Sequence, residues 1–255
     1  MNSAEREYMK LVDTHAHLEE FKDIHAIVER ARKVGVVGIV GVGVGYFSNL
    51  KTLELSEVYS GFIFPALGVH PTEVEKEGEK VFDLIEERAK DCVAIGEVGL
   101  DYWAKTSRER QNMVLERLLT IAARRNKPVS LHTRGAWEET YNLVEQFKIK
   151  KVIFHWFTGP TETLKKILDR GYYISASPAA EYSKRLRENL KLTPLDNILL
   201  ETDSPVKYKE VEAEPAHVLK TLKYVAELKG IKEAALAEKT TENATNFFEL
   251  RFKQL

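Results

Sequence analysis

The sequence predicts an α/β fold, specifically a single (β/α)8 barrel of the TIM type. Eight short apolar runs, rich in β-branched residues, alternate with longer amphipathic stretches, which is the pattern of strands followed by helices. The 255 residues contain no Pro-, Gly- or Ser-rich linker, and this length is typical of one barrel. We therefore expect residues 1–255 to form one domain. A doubly wound open sheet is the structural alternative.

The apolar runs predict the strands, and the periodicity between them predicts the helices. In the stretch 107–125, for example, Val114, Leu118 and Ile121 share one face at helical spacing. Strands are expected near 11–15, 36–42, 62–69, 92–98, 128–133, 151–155, 172–177 and 197–202. Helices are expected near 19–33, 48–59, 79–90, 107–125, 135–147, 161–170, 183–191, 214–229 and 232–252. In a barrel of this order, the chemistry belongs where strands end and loops begin.

Composition narrows the class of protein. No apolar run approaches the roughly 18 residues of a membrane span, and Met1–Glu7 lacks the apolar core of a signal peptide. We therefore expect a cytoplasmic protein. The net charge of −1 argues against coating of nucleic acid by global charge, so any such contact has to be local. The single cysteine, Cys92, is predicted to be a buried and inert thiol.

The first predicted strand ends on two histidines that are one residue apart. Because side chains at i and i+2 lie on the same face of a strand, His15 and His17 point at one spot, together with Asp13. Neutral imidazole is a common protein ligand of zinc-like ions. Taken alone, the pair could equally be a polar strand end.

Other predicted strands end in the same kind of side chain. Five of the seven histidines lie at strand ends, and carboxylates accompany them. Capping of single strands is the alternative explanation, but it has to be invoked separately for each residue. Convergence of four imidazoles and two carboxylates at one barrel mouth predicts a site for two divalent ions. The predicted ligands are His15, His17, Glu97, His132, His155 and Asp203.

Such a site predicts hydrolysis, because a bound divalent ion lowers the pKa of water from 15.7 to about 7. Asp203 is expected either to orient that water or accept its proton while holding a metal, or to be a ligand only. Arg134 is expected to pair with an anionic substrate through its planar guanidinium, with a structural salt bridge as the alternative. His70, followed by Pro71, is expected to donate to a phosphate oxygen, with packing as the alternative.

In order along the chain, these motifs resemble the TatD family of metal-dependent deoxyribonucleases, within the metal-dependent hydrolase superfamily. The matching segments cover nearly the whole chain. They are Asp13-x-His-x-His17, Gly68-x-His-Pro71, Gly96-Glu-x-Gly-Leu-Asp-Tyr102, Arg110-Gln111, Leu131-His-x-Arg134, His155-x-Phe-Thr-Gly159, Glu201-Thr-Asp-Ser-Pro205 and Thr240-Thr-x-Asn-Ala244.

The resemblance implies a TIM-type barrel that binds two divalent ions on the six predicted ligands. Glu97 would bridge the ions and act with Asp203 in catalysis, while His70, Arg134 and Tyr102 would meet the substrate. The implied reaction is hydrolysis of DNA phosphodiester bonds, often from the 3′ end. Mixed imidazole and carboxylate ligands admit Zn, Mg, Mn or Ni.

Three segments depart from the family pattern. Gly135-Ala136 stands where members often have Asp-Ala, and Trp156 stands where a small residue is common. The acidic segment Val211-Glu-Ala-Glu-Pro215 replaces a basic one, which weakens the case for a long contact with nucleic acid. Trp156 could stack on a base, with a core position as the alternative.

We therefore expect a 3′-5′ exonuclease that acts on single-stranded DNA ends. The alternative is an amidohydrolase-like enzyme for a small amide, ester, lactone or aminoacyl ester, because the same ions polarise a carbonyl group. An acidic rim and a small pocket would favour that alternative. A third possibility is a metal-stabilised scaffold that binds nucleic acid or protein without turnover.

Overall fold

The computed structural model, which describes residues 9–253, contains eight parallel strands that follow one another around a barrel in chain order. The predicted fold class is confirmed. The predicted absence of a signal peptide in Met1–Glu7 concerns residues outside this range. The barrel strands are β1 (Leu11–Ala16), β2 (Val36–Val42), β3 (Ile63–Val69), β4 (Ala94–Gly99), β5 (Val129–His132), β6 (Val152–Phe154), β7 (Tyr173–Ala176) and β8 (Ile198–Leu200).

Helices connect the strands and cover the outside of the barrel. They are α1 (Ile24–Lys33), α2 (Tyr46–Val58), α3 (Glu79–Arg88), α4 (Arg108–Arg125), α5 (Trp137–Gln146), α6 (Thr161–Asp169), α7 (Lys184–Leu192), α8 (Val218–Lys229) and α9 (Glu233–Phe248). The helix predicted near 19–33 begins only at Ile24, because the Asp23 side chain accepts a hydrogen bond from Ala26 N and caps the helix there. Within residues 9–253, no helix is long and apolar enough to cross a membrane.

A short hairpin follows the last barrel strand and was not predicted. Its strands are β9 (Lys207–Tyr208) and β10 (Val211–Glu212), which pair antiparallel. Two residues per strand are too few for an alternating pattern to be visible in the sequence. The ring of Tyr208 is buried and lies 5.3 Å from the ring of Trp156, so the hairpin packs beside the carboxyl ends of the strands.

The barrel closes between β1 and the segment after β8. Thr14 Oγ1 donates to Leu200 O at 2.9 Å, Asp203 N donates to His15 O at 2.9 Å, and His17 N donates to Ser204 O at 2.7 Å. These bonds fix the segment after β8 against the two histidines of the first strand. Closure of the fold and placement of Asp203 therefore depend on the same contacts.

Cys92 is buried, as expected, with 3% of its surface exposed and its thiol donating to Arg88 O at 3.1 Å. Burial raises the pKa of the thiol to about 12, so the reactive thiolate is scarce at neutral pH. We expect no reaction of the folded protein with a thiol reagent at pH 8, and one thiol per chain after unfolding in guanidinium. Rapid labelling of the folded protein would contradict this prediction.

Candidate metal centre

One oxygen of Glu97 faces the two histidines at the carboxyl end of the first strand, His15 in β1 and His17 directly after it. Glu97 lies in β4 and is almost completely buried. Its Oε2 atom is 3.2 Å from His15 Nε2 and 3.4 Å from His17 Nε2. Asp203 Oδ1 lies 3.6 Å and 3.4 Å from the same two nitrogens. Two imidazoles and two carboxylates therefore converge on one point, which is a suitable donor set for one divalent ion.

The other oxygen of Glu97 faces a second group of histidines. Glu97 Oε1 is 2.8 Å from His132 Nδ1, 2.8 Å from His155 Nε2 and 3.6 Å from His70 Nε2. These three imidazoles come from the carboxyl ends of β5, β6 and β3. Glu97 thus has a separate group of imidazoles on each of its two oxygens, and groups of this composition are able to hold a divalent metal ion.

The protonation of these groups also fits a cation site. Burial disfavours ionised Glu97, but the surrounding imidazoles outweigh burial and hold its pKa well below the ordinary value. Burial likewise opposes protonation of His17, yet Asp203 and Glu97 raise the pKa of this imidazole to about 10. A protonated His17 therefore offsets the negative charges of Glu97 and Asp203. A divalent ion would supply the same positive charge and release protons as it binds.

Two glycines allow the strands to approach one another around Glu97. A Cβ atom on Gly68 would overlap Glu97 O, and one on Gly99 would overlap His132 O. Gly99 also has φ +152, a backbone conformation that residues other than glycine rarely adopt. Any larger residue at either position would displace the backbone that carries Glu97 or His132.

Asp101 contacts both His132 and Arg134 and was not among the predicted site residues. Its carboxylate is fully buried, with Oδ2 3.1 Å from His132 Nε2 and 2.6 Å from Arg134 Nη2. Arg134 Nε also donates to this carboxylate, at 2.9 Å and 3.1 Å. Burial opposes its charge, but these two partners prevail and lower the pKa of Asp101. Asp101 thus orients His132 with Nδ1 toward Glu97.

The structure brings all the predicted site residues to this barrel mouth except Tyr102. His70 lines the cleft, with Nδ1 2.7 Å from Thr72 Oγ1. Arg134 also lines it, although it forms the salt bridge that was the alternative to substrate binding. The ring of Tyr102 instead packs against the guanidinium of Arg108, 4.1 Å from its carbon, and is not among the residues that line the cleft.

The cleft above the centre has a volume of about 670 Å³, and its wall includes three tryptophans and one tyrosine. Trp103 is 69% exposed and Tyr182 is 44% exposed, while Trp137 and Trp156 are partly buried in the wall. Trp156, whose position was open between core and cleft, therefore lines the cleft. Apart from the predicted metal ligands, the charged residues that line the cleft are Glu20, Glu73, Asp101 and Arg134.

The acidic segment that departs from the family pattern lies outside this wall. Glu214 pairs with Arg30, with Oε2 2.7 Å from Nη2. Glu212 is exposed on β10. Neither carboxylate lines the cleft. The acidic segment that stands in place of a basic one therefore does not make the cleft itself more acidic.

Comparison with known proteins gives one consistent family. The profile of the family described as TatD related DNase matches residues 12–249. Human deoxyribonuclease TATDN3 is 36% identical, over 93% of this chain and 94% of its own length. The uncharacterized metal-dependent hydrolase YabD of Bacillus subtilis is 32% identical, over 94% of this chain and 99% of its own. The crystal structure of the TatD homologue YJJV from Escherichia coli superposes with a TM-score of 0.88 at 25% identity, covering 94% of this chain and 98% of that one.

Proposed function

This chain belongs to the family of TatD-related DNases, and from that premise we propose that it is a cytoplasmic, two-metal deoxyribonuclease that removes nucleotides from the 3′ ends of single-stranded DNA. Residues 1–255 would form its one catalytic domain. The observation that carries the proposal is the division of five histidines between the two oxygens of Glu97. That arrangement supports two ions rather than one.

The ligands would be His15, His17 and Asp203 for one ion and His132 and His155 for the other, with Glu97 shared. When bound, the two ions would activate a water molecule and neutralise charge on a phosphoryl group. Asp203 would accept the proton of that water.

Two further side chains would hold the phosphate. Asp101 binds Arg134 through Nε and Nη2, which leaves Nη1 for a phosphate oxygen. Burial lowers the pKa of His70 to about 4, so its imidazole stays neutral. Its ring nitrogens lie near Thr72 and near His132, and the neutral ring could donate one hydrogen bond to substrate.

The cleft favours single-stranded ends over long duplexes. Exposed aromatic faces such as those of Trp103 and Tyr182 can stack on bases of any sequence. Arg134 is the single basic side chain among the residues that line the cleft, and a long contact with a phosphate backbone needs many more. A cleft of this size accommodates about one drug-sized molecule, which matches a terminal nucleotide better than a helix.

A time course on end-labelled single-stranded DNA tests this function, with Mg, Mn or Zn added. A 3′-5′ exonuclease should shorten a 5′-labelled strand stepwise and release labelled mononucleotide at once from a 3′-labelled strand. Circular single-stranded DNA of the same sequence is the matched control and should survive. Internal fragments from both labels would indicate an endonuclease instead, and intact DNA in the presence of two bound ions per chain would contradict the proposal.

One feature of the cleft favours a second candidate, hydrolysis of a small amide, ester or lactone. The wall carries Glu20 and Glu73 but one basic side chain, and that side chain is already paired with Asp101. Such a surface suits a small neutral substrate, since the ions polarise a carbonyl as well as a phosphoryl group. Turnover of such a substrate by protein that leaves DNA intact would establish this candidate in place of the nuclease.

A further inference from the structure

Behind the metal centre, four buried polar atoms have no hydrogen-bond partner. They are His15 Nδ1, His155 Nδ1 and the two carboxylate oxygens of Glu201. Glu201 directly follows β8 and has 0% of its surface exposed. Its Oε1 lies 3.5 Å from His155 Nδ1. One nitrogen of His15, one of His155 and one Glu201 oxygen all lie within 4.8 Å of one another.

The two histidines are arranged so that one carboxylate can reach both. Their rings stack with centroids 4.2 Å apart and planes 11° apart. Each ring directs Nε2 toward Glu97, at 3.2 Å for His15 and 2.8 Å for His155. A neutral imidazole that binds a metal through one nitrogen carries its proton on the other. For both rings, the proton therefore belongs on Nδ1, the atom that has no partner.

A buried carboxylate without donors is costly, and so is a buried N–H without an acceptor. Pairing the two Nδ1–H groups with the two oxygens of Glu201 would satisfy all four atoms, and one such pair, His155 Nδ1 and Glu201 Oε1, already lies at 3.5 Å. The nearby carboxyl of Asp13 is already engaged, since Thr202 N donates to its Oδ1 at 2.9 Å and its Oδ2 is 2.5 Å from Thr202 Oγ1.

We propose that Glu201 is a positioning residue that accepts hydrogen bonds from Nδ1 of both His15 and His155 and thereby supports both metal ions at once. This inference rests on the proposed two-metal function. His15 lies on the Oε2 side of Glu97 and His155 lies on the Oε1 side, so each belongs to a different ion. Asp101, in contrast, contacts His132 alone among the ligands. Glu201 would link the two ion sites through Nδ1 of His15 and His155, while Glu97 lies on the Nε2 side of both rings.

Zinc titration against a competing chelator distinguishes the two carboxylates. We expect Glu201→Gln to weaken binding of both ions about 10–100-fold, the range for loss of a partner that orients a ligating histidine. Asp101→Asn should weaken one ion and leave the other unchanged. Glu73→Gln is the control, because its carboxylate lines the cleft but pairs with Lys76, and it should bind both ions as the wild type does.

A second measurement tests the tautomers that these hydrogen bonds require and needs no variant. In the zinc-loaded wild type, ¹⁵N NMR of the histidine rings should show Nδ1–H on both His15 and His155. A proton on Nε2 of either ring would overturn the inference, and so would a Glu201→Gln protein that binds both ions normally or loses only one. Wild-type protein that binds no metal would instead refute the proposed function, so the two failures are distinguishable.

Discussion

Glu97→Ala is expected to lose both metal ions and, with them, hydrolysis. The carboxylate touches imidazoles of five histidines and is almost completely buried, so its removal takes one donor from each ion and leaves the imidazoles without their counter-charge. Removing a residue that only hydrogen-bonds to a metal ligand typically lowers metal affinity or activity about 10–100-fold. Removing the shared ligand itself should therefore lower activity at least about 1,000-fold. Metal content after dialysis and the rate on single-stranded DNA are the two measurements.

Glu73→Gln is the matched control for metal content. Its carboxylate lines the same cleft but binds Lys76, with Oε2 2.8 Å from Nζ, and contacts none of the ligands of the centre through an ion pair. This variant should retain both ions. A Glu97→Ala protein that still holds two ions per chain would show that the ions lie elsewhere in the barrel.

Periodicity made the barrel and most of the candidate centre predictable. Each strand ends where its apolar run ends, and parallel strands bring their carboxyl ends to one face. His15 and His17 could therefore be placed beside Glu97 although they are about 80 residues apart in the chain. The same period of two also relates Asp101 to Glu97 and Glu201 to Asp203. That relation indicates both positions from the sequence.

The sequence did not predict which side chains contact one another around the cleft. Whether Arg134 meets Asp101 or a substrate depends on the path of the loop after β4, and that loop also turns Tyr102 away from the cleft toward Arg108. The hairpin of β9 and β10 is too short to leave a pattern. These features arise from packing between segments that are distant in sequence, and no local propensity encodes them.

Asp203→Asn separates the two functions that Asp203 could have, ligand and proton acceptor. Asp203 has φ +50, a left-handed conformation that asparagine tolerates better than alanine does, so the backbone should remain in place. The amide oxygen can still face His15 and His17, but the amide cannot accept the proton of the attacking water. Loss of a general base typically lowers the rate about 100- to 10,000-fold, and we expect a fall of that size in kcat with little change in KM.

Assays at a high metal concentration distinguish a proton acceptor from a metal ligand at Asp203. If Asp203 accepts the proton, the variant should bind two ions and remain slow at any metal concentration. His17→Gln is the control for a ligand function, because His17 lies between Glu97 and Asp203 and its loss should be corrected at least in part by high metal. Recovery of Asp203→Asn to wild-type rates under the same conditions would show that Asp203 only holds the ion, and the proton would then leave by way of solvent or another side chain of the cleft.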